Sequence, residues 1–290
     1  MIIDAHIHLY PPSVYENPRK WALHWREPYW SACVAPENRR SMQGWSSVDE
    51  LLRKMDQANV ERSVILAWYW ENHDTCSENV NWQIEWIKAH PDRLIAFAPF
   101  HPSGQRRSID LLKLAFDAGF KGIGELNPPA QGYAYHDPML AEALDLAALY
   151  EAAVNIHVTD PNTRDYPGKI ETPAGELLAM AQRHPKTQFV FAHLAGCMHT
   201  EAPFAEQRNI WYDLSASPLL YPPKVYRDFC DNIGSDRLLF GTDFPLKAFP
   251  KDPETPDFIA ALAYLGRADL SEQEREAILH RNAAKLLHLS

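Results

Sequence analysis

Short apolar runs alternate with amphipathic segments along the chain, starting at residue 2. Short apolar runs bounded by Gly, Pro or polar residues are typical of buried strands. Eight such runs predict strands at 2–9, 62–69, 93–100, 121–127, 154–160, 187–195, 209–215 and 237–243. Between and after them, segments with a helical apolar period predict helices at 46–60, 78–91, 108–120, 138–153, 172–185, 200–207, 222–234, 256–265 and 271–288.

This alternation predicts the fold class. Ser47 with Glu50 resembles a capping box, and Asp137 before Pro138 is a typical helix start. Strands that are apolar throughout and separated by helices imply a parallel sheet covered on both faces. Eight strand–helix units therefore predict an α/β fold, an eight-stranded parallel (β/α)8 barrel of the TIM type. An open doubly wound sheet is the alternative, but no Gly-rich phosphate loop follows the first strand.

The stretch from residue 10 to 45 interrupts the alternation, because it is rich in Trp and Pro and has no clear period. We predict one barrel domain over residues 1–290, with 10–45 as a loop inserted after the first strand. Aromatic residues are enriched at protein interfaces, so this loop is either a lid over a pocket or a homodimer contact. Arg26, Arg39 and Arg40 in the loop could bind a substrate carboxylate or could be solvated.

Composition narrows the class of protein. Hydrophobic residues make up 46% of the 290, enough for one large core, and no apolar run is long enough to span a membrane. The formal net charge of −10 argues against a nucleic-acid partner, since phosphate binding needs clustered Lys and Arg. The N-terminus lacks a secretory signal pattern, and the four cysteines form no CxxC pair. We therefore expect reduced thiols and a cytoplasmic location.

Residues that can bind a metal gather at the predicted C-terminal ends of five strands. They are His6, His8, Glu125, His157, His193 and Asp243. The active site of a (β/α)8 barrel lies at this end. His6 and His8 are two residues apart on one strand, so they point to the same face with a separation of about 6.6 Å along the strand. Four imidazoles and two carboxylates suit either one crowded metal or two metals about 3.5–4 Å apart.

Several motifs resemble the amidohydrolase superfamily of metal-dependent barrels. They are DAHIH at 4–8, the fifth-strand His157, HLAG at 193–196 and GTDFP at 241–245. The resemblance extends to NAAKLL at 282–287 and is greatest to the amidohydrolase 2 branch, which includes hydrolases, lactonases and decarboxylases of small carboxylated compounds. GIGELNP at 122–128 also resembles the TatD-type deoxyribonuclease pattern, in which the glutamate joins the metal site.

The resemblance implies a role for each ligand. The residues that it assigns to a first metal are His6, His8, His157 and Asp243. Glu125 would bridge to a second metal bound by His157 and His193, or His193 would stay free of metal and polarise the substrate. Many superfamily members use a carbamylated lysine as the bridge, whereas Glu125 stands at that point here. We expect one or two divalent ions, with zinc first and manganese or iron as alternatives.

The expected activity is hydrolysis of an amide, lactone or ester bond in a small organic substrate by a metal-activated water. Asp243 would be the general base, and His193 or the metal would stabilise the oxyanion. The first alternative is a non-oxidative decarboxylase of a small aromatic or unsaturated carboxylic acid on the same site. A nuclease is opposed by the acidic charge, and a catalytically inactive ligand-binding barrel is the remaining alternative. Candidate substrate-binding residues are Trp68, Asn127, Ser217 and Tyr221.

Overall fold

The computed structural model describes residues 1–39, 41–161, 163, 165, 169–247 and 258–289. Eight parallel strands of this part form one sheet in the order of the sequence. They are β1 (Ile3–His8), β2 (Arg62–Leu66), β3 (Leu94–Ala98), β4 (Gly122–Leu126), β5 (Ala153–Ile156), β6 (Gln188–Phe191), β7 (Ile210–Asp213) and β8 (Leu238–Leu239). Each is shorter than its apolar run, because the chain leaves the ladder before the run ends.

Main-chain hydrogen bonds between β1 and the residues that follow β8 close the sheet into a barrel. His8 N donates to Phe244 O at 2.7 Å. Asp243 N donates to His6 O at 2.9 Å. The predicted eight-stranded (β/α)8 architecture is therefore confirmed, and the segment after β8 lies directly beside the end of β1.

Helices alternate with the strands. Those in the described residues are α1 (Pro12–Tyr15), α2 (Pro18–Trp25), α3 (Pro28–Val34), α4 (Val48–Ala58), α5 (His73–Ala89), α6 (Arg106–Asp117), α7 (Pro138–Leu149), α8 (Ala174–Arg183), α9 (Ala202–Glu206), α10 (Lys224–Ile233), α11 (Ile259–Gly266), α12 (Glu272–Glu276) and α13 (Asn282–Leu286). Among them, no helix combines the length and the apolar character needed to cross a lipid bilayer. The first two residues of the helix predicted at 256–265 lie outside the described residues.

Capping side chains set where several helices begin. Ser47 Oγ accepts a hydrogen bond from Glu50 N at 3.1 Å, as its sequence position predicts. Asp137 accepts from two main-chain N–H groups of α7 in the same way. Helix α5 begins five residues before its predicted start, because Asn72 caps it by accepting from Thr75 N at 3.0 Å. Its first turn is polar and carries no apolar period, so the sequence pattern does not reveal it.

A change of register in β1 turns its histidines toward the barrel interior. The β1–β2 pairing shifts between Asp4 and Ile7. Ile3 and Ala5 pack in the inner apolar cluster with residues of α13, whereas Ile7 packs in the outer cluster between the barrel and its helices. Bulges of this kind are common beside active sites because they re-aim side chains. Apolar residues therefore fill one end of the barrel, and polar residues occupy the other.

Residues 10–45, predicted to be an irregular loop, contain the helices α1, α2 and α3, so that prediction is corrected. Each of these helices has at most eight residues and starts with proline, which leaves no length for an apolar period. Their tryptophans pack on one another and on the loop after β2. Trp21 lies 5.2 Å from Trp30 and 5.3 Å from Trp70 between ring centroids. Aromatic packing, rather than helix amphipathicity, orders this segment.

Two carboxyl groups, a buried one on Glu27 and a half-buried one on Glu71, join the α2–α3 segment to the loop after β2. Glu71 N donates to Glu27 Oε2 at 2.8 Å, and Tyr29 N donates to Glu71 Oε2 at 2.7 Å. Burial raises the pKa of Glu27 to about 8, and the charge of Glu71 also opposes ionisation of the Glu27 carboxyl. At neutral pH Glu27 therefore keeps its proton in the folded protein.

Replacing Glu27 with Gln is expected to remove part of the pH dependence of folding stability. Because the pKa of Glu27 is about 8 in the folded protein and 4.5 ordinarily, the folded chain keeps a proton that the unfolded chain has lost. The stabilisation from this proton is complete below pH 4.5 and is lost as the pH rises to about 8, with a slope of up to about 1.4 kcal/mol per pH unit. Urea unfolding across this range should show a flatter slope for Glu27→Gln.

A second carboxyl group also makes folding stability depend on pH, so the slope of Glu27→Gln is compared with that of the wild type. Burial raises the pKa of Asp4 to about 7, so this carboxyl adds a slope of the same sign to both proteins. Glu37→Gln, which removes an exposed carboxyl from the same segment, is the matched control and should behave like the wild type. Equal slopes for the wild type and Glu27→Gln would show that folding does not raise the pKa of Glu27.

Candidate metal centre

The structure brings all six metal-capable residues together at the C-terminal ends of the strands. Their ligand atoms form two groups, and within each group the atoms lie within 4.8 Å of one another. The first group is His6, His8 and Asp243, and the second is Glu125, His157 and His193. Residues from five strands thus meet over the open end of the barrel.

Backbone conformation at the strand ends positions the ligands. Gly124 has a φ of +139°, and a Cβ atom there would lie 2.7 Å from Asn155 O, so only glycine fits before Glu125. His193 and Asp243 lie beyond the regular parts of β6 and β8 and have positive φ values of 58° and 63°. Left-handed conformations at non-glycine residues cluster at functional sites. The chain therefore turns out of the sheet at the ligands themselves.

The first group is centred on two ring nitrogens of β1. His6 Nε2 lies 3.3 Å from His8 Nε2. Asp243 Oδ1 lies 3.6 Å from His8 Nε2 and 3.9 Å from His6 Nε2. Three ligand atoms from β1 and the segment after β8 therefore converge on a small volume.

Glu125 lies between the two groups. Its Oε1 atom is 2.9 Å from His157 Nδ1 and 3.5 Å from His193 Nε2. Its Oε2 atom is 3.5 Å from His8 Nε2 and 4.0 Å from His6 Nε2. The two oxygens of one carboxylate therefore face different pairs of imidazoles, which is the arrangement expected of a bridging ligand.

Hydrogen bonds at the outer side of three imidazoles define which nitrogen carries the proton. The Nδ1 atoms face oxygen acceptors: Asp213 Oδ2 at 3.0 Å for His6, Leu66 O at 3.2 Å for His8 and Ser215 O at 3.0 Å for His193. Because a carbonyl or carboxylate oxygen only accepts, each Nδ1 is the donor, and each neutral ring presents a lone pair at Nε2.

This protonation pattern fits a divalent cation. The Nε2 lone pairs of His6 and His8 face each other and the oxygens of Glu125 and Asp243, and that of His193 faces Glu125, so the middle of the site consists of acceptors. Buried acceptors without a donor between them are costly unless a cation lies among them. Imidazole nitrogen and carboxylate oxygen are ligands that suit zinc, manganese and iron. The residues present therefore match a metal centre.

The carboxylates also control the protonation of the imidazoles. Burial opposes protonation of His6, but the charges of Asp213, Glu125 and Asp243 outweigh it and raise the pKa of His6 to about 10. Burial likewise opposes ionisation of Glu125, and the adjacent imidazoles, His157 foremost, nevertheless hold its pKa well below the ordinary value. Without a metal, a second proton on His6 would therefore balance part of this negative charge, and metal binding would displace it.

Asp213, the last residue of β7, orients the imidazole of His6 and holds the main chain at His193, and it is a residue that sequence reasoning missed. It is fully buried. Its Oδ2 atom accepts from His6 Nδ1 at 3.0 Å and from Asn155 Nδ2 at 3.2 Å. Its Oδ1 atom accepts from His193 N at 3.1 Å. Its position at the C-terminal end of a strand, which singled out the six ligands, was the available signal.

Asp4 performs a similar role for the segment after β8. Thr242 Oγ1 donates to Asp4 Oδ2 at 2.6 Å, and Thr242 N donates to Asp4 Oδ1 at 3.2 Å. His6 N donates to the same Oδ1 atom at 3.0 Å. The first residue of the DAHIH motif therefore fixes the backbone next to Asp243, and the motif connects both ends of the closed sheet.

Replacing Asp213 with Asn is expected to weaken metal binding about 10- to 100-fold, the usual effect of removing a carboxylate that orients a ligating histidine. The amide has no negative charge to hold the Nδ1 proton of His6, so this ring loses its fixed tautomer. Titration of the metal-free protein against a chromogenic chelator would measure the change in Kd.

A matched surface pair provides the control for this substitution. Asp145 Oδ1 lies 3.0 Å from His184 Nδ1, the same separation as in the Asp213–His6 pair, but Asp145 is exposed. Asp145→Asn should leave the metal Kd unchanged. An unchanged Kd in Asp213→Asn would mean that packing alone orients His6.

A cavity of about 500 Å³ opens above the ligands. Its lining includes five of the six: His8, Glu125, His157, His193 and Asp243. Trp68 and Tyr69 form part of the wall and stack on each other with ring centroids 4.2 Å apart. The end of α3 and the following residues also reach this wall, through Val34 and Met42. The size and mixed lining suit a small organic molecule.

The four predicted substrate-binding residues have different surroundings. Trp68 lines the cavity. Asn127 and Ser217 are buried outside its lining, and Ser217 Oγ donates to Leu214 O at 2.6 Å. Tyr221 is also outside the lining, and its O–H donates to Asp160, a residue of the cavity wall. Contact of these four with a substrate stays a prediction.

Nearly the whole chain matches a known protein family. The profile of the family described as Amidohydrolase, from the amidohydrolase 2 branch, matches residues 3–289. The chain belongs to the amidohydrolase family. L-fucono-1,5-lactonase from Burkholderia ambifaria is 27% identical to this amidohydrolase over 164 residues. That alignment covers 47% of this chain and spans half the length of the lactonase.

Solved structures with a similar fold cover nearly the whole amidohydrolase. The 5-carboxyvanillate decarboxylase from Sphingomonas paucimobilis has a TM-score of 0.74 and 15% identity, covering 100% of this chain and 99% of that one. The 4-oxalomesaconate hydratase from Rhodopseudomonas palustris has a TM-score of 0.70 and 18% identity, covering 100% and 96%. A dihydroxybenzoic acid decarboxylase from a Polaromonas species, with bound manganese, has a TM-score of 0.67 and 15% identity, covering 99% and 97%.

At such identities the structural likeness establishes the fold, and the family match establishes the class of protein. This member of the amidohydrolase family is an enzyme of a metal-dependent superfamily, and its candidate metal centre is formed by the residues that the motifs marked. Hydrolysis, decarboxylation and hydration all occur on this fold, so the reaction must be argued from the site itself.

Proposed function

We propose that this protein is a metal-dependent hydrolase that cleaves an amide, lactone or ester bond in a small organic substrate. The position of Glu125 carries the proposal, because its Oε1 faces His157 and its Oε2 faces His8. One carboxylate can thus serve two adjacent cations. Cation pairs about 3.5–4 Å apart are typical of enzymes that activate water. The similarity to a lactonase supports the same class of reaction.

The ligand set accommodates two ions in this proposal. His6, His8 and Asp243 would hold one cation, His157 and His193 would hold the other, and Glu125 would contact both. Zinc is the expected metal, with manganese and iron as alternatives, because each accepts imidazole and carboxylate ligands. A bound divalent cation lowers the pKa of water toward 7 and polarises the bond to be cleaved.

The protein's own groups move the protons. Asp243 borders both the ligand cluster and the cavity, so its carboxylate accepts the proton of the attacking water and returns it to the leaving group. In a centre with a single ion, His193 would instead remain free of metal. Burial opposes its protonation, but Glu125 raises the pKa of His193, so its Nε2 could then donate to the developing oxyanion.

One observation favours a decarboxylase as the second candidate. The stacked rings of Trp68 and Tyr69 in the cavity wall suit a flat substrate. Proteins of similar fold include decarboxylases of 5-carboxyvanillate and of 2,6-dihydroxybenzoate. Non-oxidative decarboxylation of a small aromatic or unsaturated carboxylic acid needs the metal centre but no attacking water.

Product analysis in isotopically heavy-oxygen water separates the two candidates. Metal-loaded protein would be incubated with sugar lactones, small amides and esters, and hydroxylated benzoic acids. Hydrolysis places one heavy oxygen atom in the acid product, and we expect this label to appear only when metal is present. Release of carbon dioxide without labelled acid would select the decarboxylase. Metal binding without either product would contradict both and favour a barrel that only binds its ligand.

A further inference from the structure

Two buried N–H donors of the cavity wall lack hydrogen-bond partners among the described residues. They are Nε of Arg39 and Nε1 of Trp68. Burying an N–H group without an acceptor is unfavourable, so most such groups in folded proteins are paired. Two unused donors on the wall of one binding cavity therefore point to a ligand that supplies the acceptors.

Arg39 is the only Arg or Lys that lines this cavity in the described part of the chain. Its Nη2 atom lies 3.4 Å from Cys33 O and 3.5 Å from Ala32 O, near the end of α3. These distances are at the limit of hydrogen bonding, so they hold the guanidinium only weakly. A guanidinium has five N–H donors, and no carboxylate of the described residues lies within ion-pair distance of this one.

Two carboxylates elsewhere in the cavity lining already have partners. Asp160 accepts a hydrogen bond from the Tyr221 hydroxyl. Asp165 Oδ1 lies 3.6 Å from Lys169 Nζ. The wall near Arg39 therefore offers positive charge to a ligand, while the floor of the cavity concentrates carboxylates around the metal centre.

Trp68 contributes a ring and a donor to the same cavity. Its ring centroid lies 4.2 Å from that of Tyr69 and 5.9 Å from that of His8. The indole therefore extends from a metal-ligating histidine toward the rest of the wall, and its Nε1–H has no acceptor in the described residues. An indole N–H in a binding site usually finds an acceptor, so this one is available to a ligand.

We propose that Arg39, with Trp68 as a further donor, binds an anionic group of the substrate that is separate from the bond that reacts. This inference rests on the proposed hydrolase function, since the metal centre would take the reacting bond and the wall would take the second group. The substrate class is then a small organic acid that carries a carboxylate in addition to its lactone, ester or amide bond. A guanidinium fork matches a carboxylate through two parallel hydrogen bonds.

Paired probe ligands test this inference without a known substrate. Glutarate, adipate and isophthalate would each be compared with their monomethyl esters, which keep one carboxylate for the metal centre. Calorimetry on the zinc-loaded protein gives Kd for each probe. We expect at least one diacid to bind about 10- to 100-fold more tightly than its monoester. Arg39→Gln should remove this difference.

Further variants test the charge of Arg39, the fork geometry of its guanidinium and the donor of Trp68 separately, with an exposed arginine as the control. Arg39→Lys keeps the charge but not the fork, so it should retain only part of the preference for the diacid. Trp68→Phe keeps the ring without the donor and should lower the preference by a smaller factor. Arg19→Gln removes an exposed arginine of the same segment and should bind like the wild type.

The outcomes distinguish this inference from the proposed function. Metal content would be measured for every variant, and a wild-type protein without bound metal would contradict the proposed function. If the metal content is full but diacids and monoesters bind equally well, the inference about Arg39 is overturned and the proposed function is not. A diacid preference that persists in Arg39→Gln would also overturn it, and would leave Arg39 as an anchor for the end of α3.

Discussion

Asp243→Asn is expected to lower kcat by about 10²- to 10⁴-fold while the metal content stays unchanged. The amide oxygen can still contact a cation, but it cannot accept the proton of the attacking water. The Asp243 carboxylate is the only acidic side chain of the first ligand group, and it borders the cavity. Single-turnover kinetics on the substrate selected by product analysis, with elemental analysis of the same sample, would measure both quantities.

Asp165→Asn is the matched control for this experiment. Asp165 also lines the cavity, but it is fully exposed and pairs with Lys169. Its substitution should change kcat by less than a few-fold, because an exposed ion pair contributes little. Full turnover by Asp243→Asn with metal still bound would show that another group is the base. A simultaneous loss of metal would show that the lost turnover comes from the weakened first ligand group and not from a missing base.

The barrel is predictable from sequence because its strands are buried on both faces. The run RSVILAWY at 62–69 is apolar from Val64 onward, and intervening helices impose parallel pairing. The helices of the 10–45 segment are not predictable in the same way. Trp21 and Trp30 lie in different short helices, and the contact partner that orders them, Trp70, comes from another part of the chain.

The ligands of the candidate site are predictable for a related reason. A parallel barrel collects the C-terminal ends of its strands, so residues such as His157 and His193 meet whatever their separation in sequence. Asp213 occupies an equivalent position, but its role depends on His6, which is 207 residues away. Ser217 shows what strand position alone cannot predict, since its hydroxyl donates to Leu214 O in the turn after β7, while its contact with a substrate stays a prediction.

Glu125→Gln is expected to lower the metal content from about two ions per chain to one or none, and to lower turnover by at least about 100-fold. The carboxylate places one oxygen 2.9 Å from His157 Nδ1 and the other 3.5 Å from His8 Nε2. An amide offers one weak oxygen ligand and an N–H₂ group that would face a lone pair or a cation. Elemental analysis of protein purified without chelators would measure the ions retained.

A conservative variant distinguishes the bridging role of the Glu125 side chain from its negative charge. Glu125→Asp keeps the negative charge but shortens the side chain by one methylene group, so it can reach one ligand group and not both. We therefore expect Glu125→Asp to retain one ion per chain, at least as many as Glu125→Gln retains, with turnover still strongly reduced. Glu176→Gln changes an exposed glutamate beside His136 and should keep the full metal content.

The metal count of the wild type then decides between the two reactions that the fold supports. Two ions in the wild type and a loss in both Glu125 variants would make Glu125 a bridge and His193 a ligand, as hydrolysis by a cation pair requires. One ion in the wild type, retained in Glu125→Gln, would contradict the bridge. His193 would then be free to contact substrate from the cavity wall, and the decarboxylase would become the better account of the same six residues.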